Sequence, residues 1–241
     1  MELKKEHAEK IIVALDVRTK DRALDLVKQL KNVRTFKIGL ELFASEGPFL
    51  IQELHRLGKN VFLDLKLHDI PNTVAGAVRS GFRHRVNMMT LHAFGGMKMM
   101  ERAAAEAKNL SDETGDPRPL LLAVTVLTSL KSDDLRQLGI KTKLNDQVLR
   151  LACLSKQAGM DGLVCSSKET KMIKKEVGKD FLIINPGIRP SWASSDDQKR
   201  ITTPAQAVKN GADLLVIGRP VIRASDPEKA FLRICRELDT P

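Results

Sequence analysis

The chain has no tyrosine, a single tryptophan and only 4% aromatic residues. Its core must therefore be packed from Leu, Ile, Val, Ala and Met. Barrel interiors favour branched aliphatics, so the shortage does not count against such a fold. It does leave few rings for stacking nucleic-acid bases. Cysteine is sparse too: Cys153, Cys165 and Cys235 are widely spaced, odd in number and form no CxxC. A disulfide framework and a thiolate zinc site are both disfavoured, and reduced thiols of a cytoplasmic protein are expected. No apolar run approaches the roughly 18 residues of a membrane span. The opening MELKKEHAEK holds no apolar signal core ahead of the first strand. A cytoplasmic protein with no membrane partner is expected.

What is present is aliphatic and charged. The 241 residues are 42% hydrophobic and 29% charged, with a net charge of +10. The basic residues are spread along the chain rather than gathered in a block. Solvated helix faces are one reading of them, and a positive mouth drawing in anionic small substrates is a second. Nucleic acid is the weakest reading, and no nucleic-acid partner is expected.

Short apolar runs alternate with longer helical patterns from end to end. Strands are predicted at Ile11–Asp16, Thr35–Gly39, Asn60–Lys66, Val86–His92, Leu120–Leu127, Gly162–Ser166, Phe181–Asn185 and Leu214–Gly218. Helices are predicted near 20–31, 41–57, 73–84, 96–109, 144–158, 167–177, 204–210 and 226–238. Eight strand–helix units point to a closed parallel (β/α)8 TIM barrel. One domain over 1–241 is expected, with 1–10 as an N-terminal extension. The rival open sheet lacks its Gly-rich dinucleotide fingerprint after the first strand. Runs such as IIVAL and DLLVIG are apolar on both faces, as parallel strands buried on both sides should be. Two loops are long, 128–143 and 186–203, and the second reads as a lid.

Polar residues fall where a core would not choose them. Asp16 ends the first strand, Lys37 lies in the second, and Asp64 and Lys66 in the third. His92 ends the fourth, Thr128 follows the fifth, Arg189 the seventh, and Arg219 the eighth. Barrel enzymes carry their active sites at these C-terminal strand ends. Any one such residue could be a helix cap or a satisfied ion pair. The set has no such explanation.

The run Asp64-Leu65-Lys66-Leu67-His68-Asp69 concentrates the charge. A period of two puts Asp64 and Lys66 on one strand face. Asp69 lies past the strand end. Pro71 suits the first turn of the next helix, which biases Ile70 to an extended conformation. At about 4 Å and an effective dielectric of about 20, each carboxylate favours a neighbouring ammonium by roughly 4 kcal/mol. A lysine held charged suits a proton donor, not a Schiff-base nucleophile, which must first lose its proton. That disfavours a lysine-imine aldolase.

A second constellation pairs Pro186-Gly187-Ile188-Arg189 with Ile217-Gly218-Arg219-Pro220. Glycines let backbone amides approach an anion, and arginine offers planar donors to phosphate. Barrel enzymes often bind phosphate at these two loops. His92 reads as an acid–base group, as a metal ligand or as a hydrogen-bonded packing residue, with the last favoured. No convergent carboxylates and histidines mark a metal site.

Taken together, VALD ending at Asp16, FKIG with Lys37, FLDLKLHDIPNT at 62–73, AVTVLTS at 123–129, PGIRP at 186–190 and VIGRPV at 216–221 resemble the orotidine 5′-monophosphate decarboxylase family. DxKxxD alone is less specific, because metal-dependent phosphosugar decarboxylases and aldolases of the same barrel superfamily share it. They are the alternative. The resemblance implies decarboxylation of orotidine 5′-monophosphate to UMP without a metal or organic cofactor. It implies that Lys66 protonates C6, that Asp64 lies against the departing carboxylate, and that Lys37, Asp64, Lys66 and Asp69 form one charge network. Asp16 and Lys37 resemble ribose ligands, and Thr128 a ligand near the pyrimidine edge. The substrate-contacting run continues through Leu65, Leu67, His68, Asp69, Ile70, Pro71, Asn72 and Thr73. Asp69, Ile70 and Thr73 are implied to cross a two-fold homodimer interface, so that active sites are shared. Arg189, Gln198, Gly218 and Arg219 resemble phosphate and lid contacts. Phe94 departs from the family pattern, which has a small residue there.

Overall fold

A computed structural model describes residues 4–193 and 202–238. Its eight strands are β1 (Ile11–Ala14), β2 (Thr35–Gly39), β3 (Asn60–Leu67), β4 (Met88–His92), β5 (Leu120–Val124), β6 (Gly162–Val164), β7 (Leu182–Asn185) and β8 (Leu214–Ile217). They follow one another in chain order and close into a parallel barrel. Every predicted strand is present, most of them shorter by a residue or more at one end.

Helices fill the intervals. The first three are α1 (Lys5–Glu9), inside the expected N-terminal extension, α2 (Lys20–Gln29) and α3 (Leu40–Glu46). Then come α4 (Phe49–Arg56), α5 (Pro71–Arg83) and α6 (Met97–Thr114). The second half carries α7 (Ser132–Gln137), α8 (Leu144–Gln157), α9 (Ser167–Val177), α10 (Pro204–Lys209), α11 (Arg219–Ile222) and α12 (Pro227–Glu237). The single helix expected over 41–57 is broken in two, because Gly47 adopts φ 64 and Pro48 follows it. The loop expected over 128–143 contains α7.

Contacts gather the chain into two compact units, one running up to Leu65 and resuming at Asn185, the other spanning Lys66–Ile184. In the first, β1 pairs with β2 and with β8, and β2 with β3. All four residues of β1 are buried, as a strand covered on both faces requires. The register sets Lys37 opposite Phe62 and Gly39 opposite Asp64. Helix α12 starts on Asp226, whose carboxylate accepts the Lys229 N–H at 2.9 Å, with Pro227 in its first turn. Its apolar stripe buries Ala230, Phe231, Ile234 and Cys235.

The α2–β2 loop is held from below by Lys59. Its ammonium donates to the carbonyls of Leu30, Lys31 and Val33 at 3.3, 3.0 and 2.7 Å. Burial pushes this lysine's pKa down, opposed by the nearby Glu228 carboxylate.

In the second unit β4, β5, β6 and β7 pair in sequence. A Cβ at Gly162 would come within 2.3 Å of the Leu182 carbonyl oxygen, so that pairing depends on a missing side chain. Arg118 grips Asp161 with two nitrogens, at 2.7 and 2.6 Å. Helices α5 and α6 are cross-linked by the buried Glu106, which accepts from Arg79 Nε at 2.7 Å and Arg102 at 3.0 Å. Both guanidinium groups hold its carboxyl below the usual range, the Arg79 hydrogen bond most strongly. No helix among the described residues is long and apolar enough to cross a membrane.

Candidate active site

The first unit brings Asp16, Lys37 and Asp64 together. Lys37 lies in β2, and its ammonium stands 3.2 Å from Asp16 Oδ1 and 3.5 Å from Asp64 Oδ2. The Lys37 and Asp64 side chains are only 11% and 13% exposed, whereas Asp16 is 55% exposed. One cation is thus bracketed by a nearly buried carboxylate and an open one. Backbone pairing fixes the arrangement, since the Leu15 N–H donates to the Lys37 carbonyl at 3.0 Å.

Two glycines border this cluster. A Cβ at Gly218 would lie 3.1 Å from Asp16 Oδ2 and 3.4 Å from the Ala14 methyl, and one at Gly39 would lie 3.0 Å from Lys37 Nζ. Gly218 opens α11, whose Val221 and Ile222 amides both donate to its carbonyl, and Arg219 is the first residue of that helix. Arg189 is buried, and its N–H donates to the Thr202 carbonyl at 3.1 Å. Ile188 and Thr202 form a parallel bridge, so the two described ends of the expected lid are tied together. At the first of them Trp192 lies under the Arg233 guanidinium, 4.6 Å from ring centre to charge. Gln198 lies outside the described residues.

The second unit holds Lys66 and what surrounds it. Lys66 has φ 52, one of two described non-glycine residues with positive φ. That conformation costs an L-residue about 1 to 2 kcal/mol. It also interrupts regular strand alternation, so the two-residue period does not set the direction of the Lys66 side chain. Its N–H donates to Thr90 Oγ1 on β4, at 2.9 Å.

Thr90 was not singled out in the sequence, where it reads as an ordinary β-former. Its one signal was a hydroxyl within the otherwise aliphatic run Met88-Met89-Thr90-Leu91.

His92 ends β4. Its Nδ1 accepts the Phe94 N–H at 3.4 Å, leaving the ring proton of the neutral imidazole on Nε2. Its ring stacks on His68 at 5.5 Å and meets Phe94 at 5.4 Å. Burial, with repulsion from His68 and Lys66, pushes its pKa down to about 4. His92 is thus a hydrogen-bonded, stacked ring with Phe94 as one of its neighbours.

The rest of the motif runs outward. Asp69 is exposed, and its Oδ1 accepts the Ile70 N–H at 2.6 Å. Ile70 is extended, at φ −60 and ψ 153, with Pro71 in the first turn of α5. Asn72 and Thr73 are exposed on that turn, and Thr128 is exposed beyond β5. Ile70 is 66% exposed. Leu65 and Leu67 are half-buried. Among the described residues no three His, Cys, Asp or Glu side chains are grouped to hold a metal ion.

A closed parallel barrel carrying acid and base at the ends of its strands defines a (β/α)8-barrel enzyme. Residues 9–234 match the Orotidine 5'-phosphate decarboxylase / HUMPS family, and the chain belongs to it. It is 50% identical over 236 residues to the orotidine 5'-phosphate decarboxylase of Pelobacter propionicus, covering 97% of this chain and 96% of that one. The enzyme of that name from Saccharophagus degradans is 50% identical over 229 residues, 95% of this chain and 94% of its own. The crystal structure of orotidine 5'-phosphate decarboxylase from Lactobacillus acidophilus superposes with a TM-score of 0.84 at 36% identity, covering 95% of this chain and 99% of that one.

Proposed function

We infer that this enzyme decarboxylates orotidine 5′-monophosphate to UMP and CO2, the last step of de novo pyrimidine nucleotide synthesis. The observation that carries this reading is the intact run Asp64–Asp69 at the end of β3 in a chain that matches the family along almost its whole length.

The chemistry asks for a cation at one carbon. The bond between C6 and the carboxylate breaks, CO2 departs, and the electron pair stays at C6. A preorganised positive charge lowers the energy of that developing carbanion. The Lys66 ammonium supplies the charge and then the proton, forming the C6–H bond. Asp64 lies against the departing carboxylate. Lys37, Asp64, Lys66 and Asp69 act as one alternating network. In this reading no metal or organic cofactor takes part.

Binding roles follow the same reading. Asp16 and Lys37 take the ribose hydroxyls, and Thr128 lies near the pyrimidine edge. Arg189, Gln198, Gly218 and Arg219 hold the phosphate, whose binding energy drives lid closure far from C6. The chain acts as a single barrel domain in the cytoplasm, without nucleic-acid or membrane partners. It works as a homodimer in which Asp69, Ile70 and Thr73 complete the neighbouring site. The exposure of Ile70, an aliphatic side chain beside the charged run, supports that interface.

The test is ultraviolet-monitored decarboxylation of orotidine 5′-monophosphate with and without EDTA. Undiminished turnover in EDTA is expected. Strict metal dependence, or no turnover of this nucleotide, would overturn the reading in favour of a phosphosugar enzyme of the same superfamily.

A further inference from the structure

We propose that Thr90 is a positioning residue for Lys66: its hydroxyl oxygen, by accepting the Lys66 N–H, holds the backbone turn that aims the lysine side chain. The proposal rests on the reading of Lys66 as the proton donor.

Three observations converge on it. The first is the strained backbone. Lys66 sits at φ 52 inside a β-strand, where an L-residue is uncomfortable and a glycine would be at ease. Strain of this kind persists only where surrounding structure over-determines it. At φ 52 the Cα–Cβ bond leaves the strand in a different direction from its neighbours. Whatever fixes φ therefore fixes the root of the ammonium's arm.

The second is the hydrogen bond itself. The turned amide donates to a side chain, Thr90 Oγ1, at 2.9 Å. A hydroxyl oxygen reaches out from its own strand on one rotatable bond, so it can meet an amide displaced from regular strand geometry.

The third is burial. Thr90 is 0% exposed and lies among aliphatic residues of β4. A hydroxyl there costs free energy unless it is hydrogen-bonded, and valine has nearly the same shape without that cost. Core packing alone would be served as well by Val. The hydroxyl has a use at this position, and accepting the Lys66 N–H is one such use. The next residue on the same face of β4, His92, stays neutral beside Lys66, so this strand steadies the lysine without adding a competing positive charge.

The effect on catalysis should be selective. Thr90 is not proposed to touch the substrate, so its loss changes how well the ammonium is placed, not how tightly the nucleotide binds. A small misplacement of a proton donor is enough to slow turnover substantially.

The experiment uses the full chain with Thr90→Val and Thr90→Ser, read in two ways. In decarboxylation, Thr90→Val is expected to lower kcat by about tenfold or more with little change in KM, and Thr90→Ser to restore most of it. In hydrogen exchange resolved by 15N NMR, the Lys66 amide is expected to be protected in wild type and Thr90→Ser and to exchange faster in Thr90→Val. A wild-type kcat in Thr90→Val overturns the proposal, and so does a Thr90→Ser variant as slow as Thr90→Val. Should Thr90→Val misfold, Thr90→Ala removes the same acceptor and is held to the same criteria. If the wild-type protein does not turn over orotidine 5′-monophosphate at all, the reading of the reaction fails. The exchange data then still decide whether Thr90 holds the Lys66 backbone.

Discussion

The Lys37 ammonium lies 3.5 Å from Asp64 Oδ2, and both side chains are almost out of solvent. Removing one partner withdraws a counter-charge from a group with little water to replace it. Lys37→Met is expected to destabilise the protein by about 3 kcal/mol and to impair turnover. Asp64→Leu behaves similarly, and the double variant loses less stability than the sum of the two. Urea unfolding of the four proteins measures the coupling, and strictly additive losses would show that the pair contributes nothing as a pair.

The backbone at Lys66 makes an unusual prediction about two inactive variants. Lys66→Ala keeps the strain of φ 52, whereas Lys66→Gly relieves it. Both should abolish decarboxylation, yet Lys66→Gly should be the more stable by about 1 kcal/mol. Equal or reversed unfolding midpoints would mean that the turn carries no strain.

Sharing of active sites is tested by mixing. Lys66→Ala and Asp69→Ala chains are each expected to be inactive, and dissociating and reassembling them together should recover part of the activity. Heterodimers demonstrated by mass spectrometry but still inactive would sink the shared site.

Lys59 is a stability residue that stands just ahead of β3, at the end of the strand away from the charged run. Its ammonium binds three carbonyls of the α2–β2 connection. Lys59→Met should cost about 2 to 4 kcal/mol and leave kcat unchanged at temperatures where the variant is folded. Thermal unfolding and an assay at low temperature separate the two effects.

His92 gives a pH signature. Its pKa falls from 6.5 to about 4 on folding, so between those values the unfolded chain binds a proton that the folded chain refuses. Stability linked to His92 is fully present above pH 6.5 and is lost as the pH drops toward 4. Between pH 7 and pH 5 the wild-type unfolding midpoint should fall more steeply than that of His92→Gln. Parallel slopes would show that His92 does not govern this window.

Much of this was legible because hydrophobic runs and polar strand ends are local signals. IIVA, TFKIG and LLVI mark β1, β2 and β8, and Asp16, Lys37 and Asp64 announce themselves by being charged where a core is expected. Three things were not legible. The break at Gly47-Pro48 was absorbed into one long helical period. The turn at Lys66 leaves no trace in a sequence, since lysine is not a residue that signals positive φ. Thr90 was invisible because its meaning lies in a partner 24 positions away, at the other end of a hydrogen bond.

Gly39 and Gly218 give the Asp16–Lys37 pair its open flank, because neither contributes a side chain to it. For anyone redesigning this enzyme, those two positions act as a shutter. A side chain at Gly218 would stand 3.1 Å from Asp16 Oδ2 and 3.4 Å from the Ala14 methyl, so the carboxylate would have to yield to it. The charge of the cluster would be unchanged and only the room around it reduced.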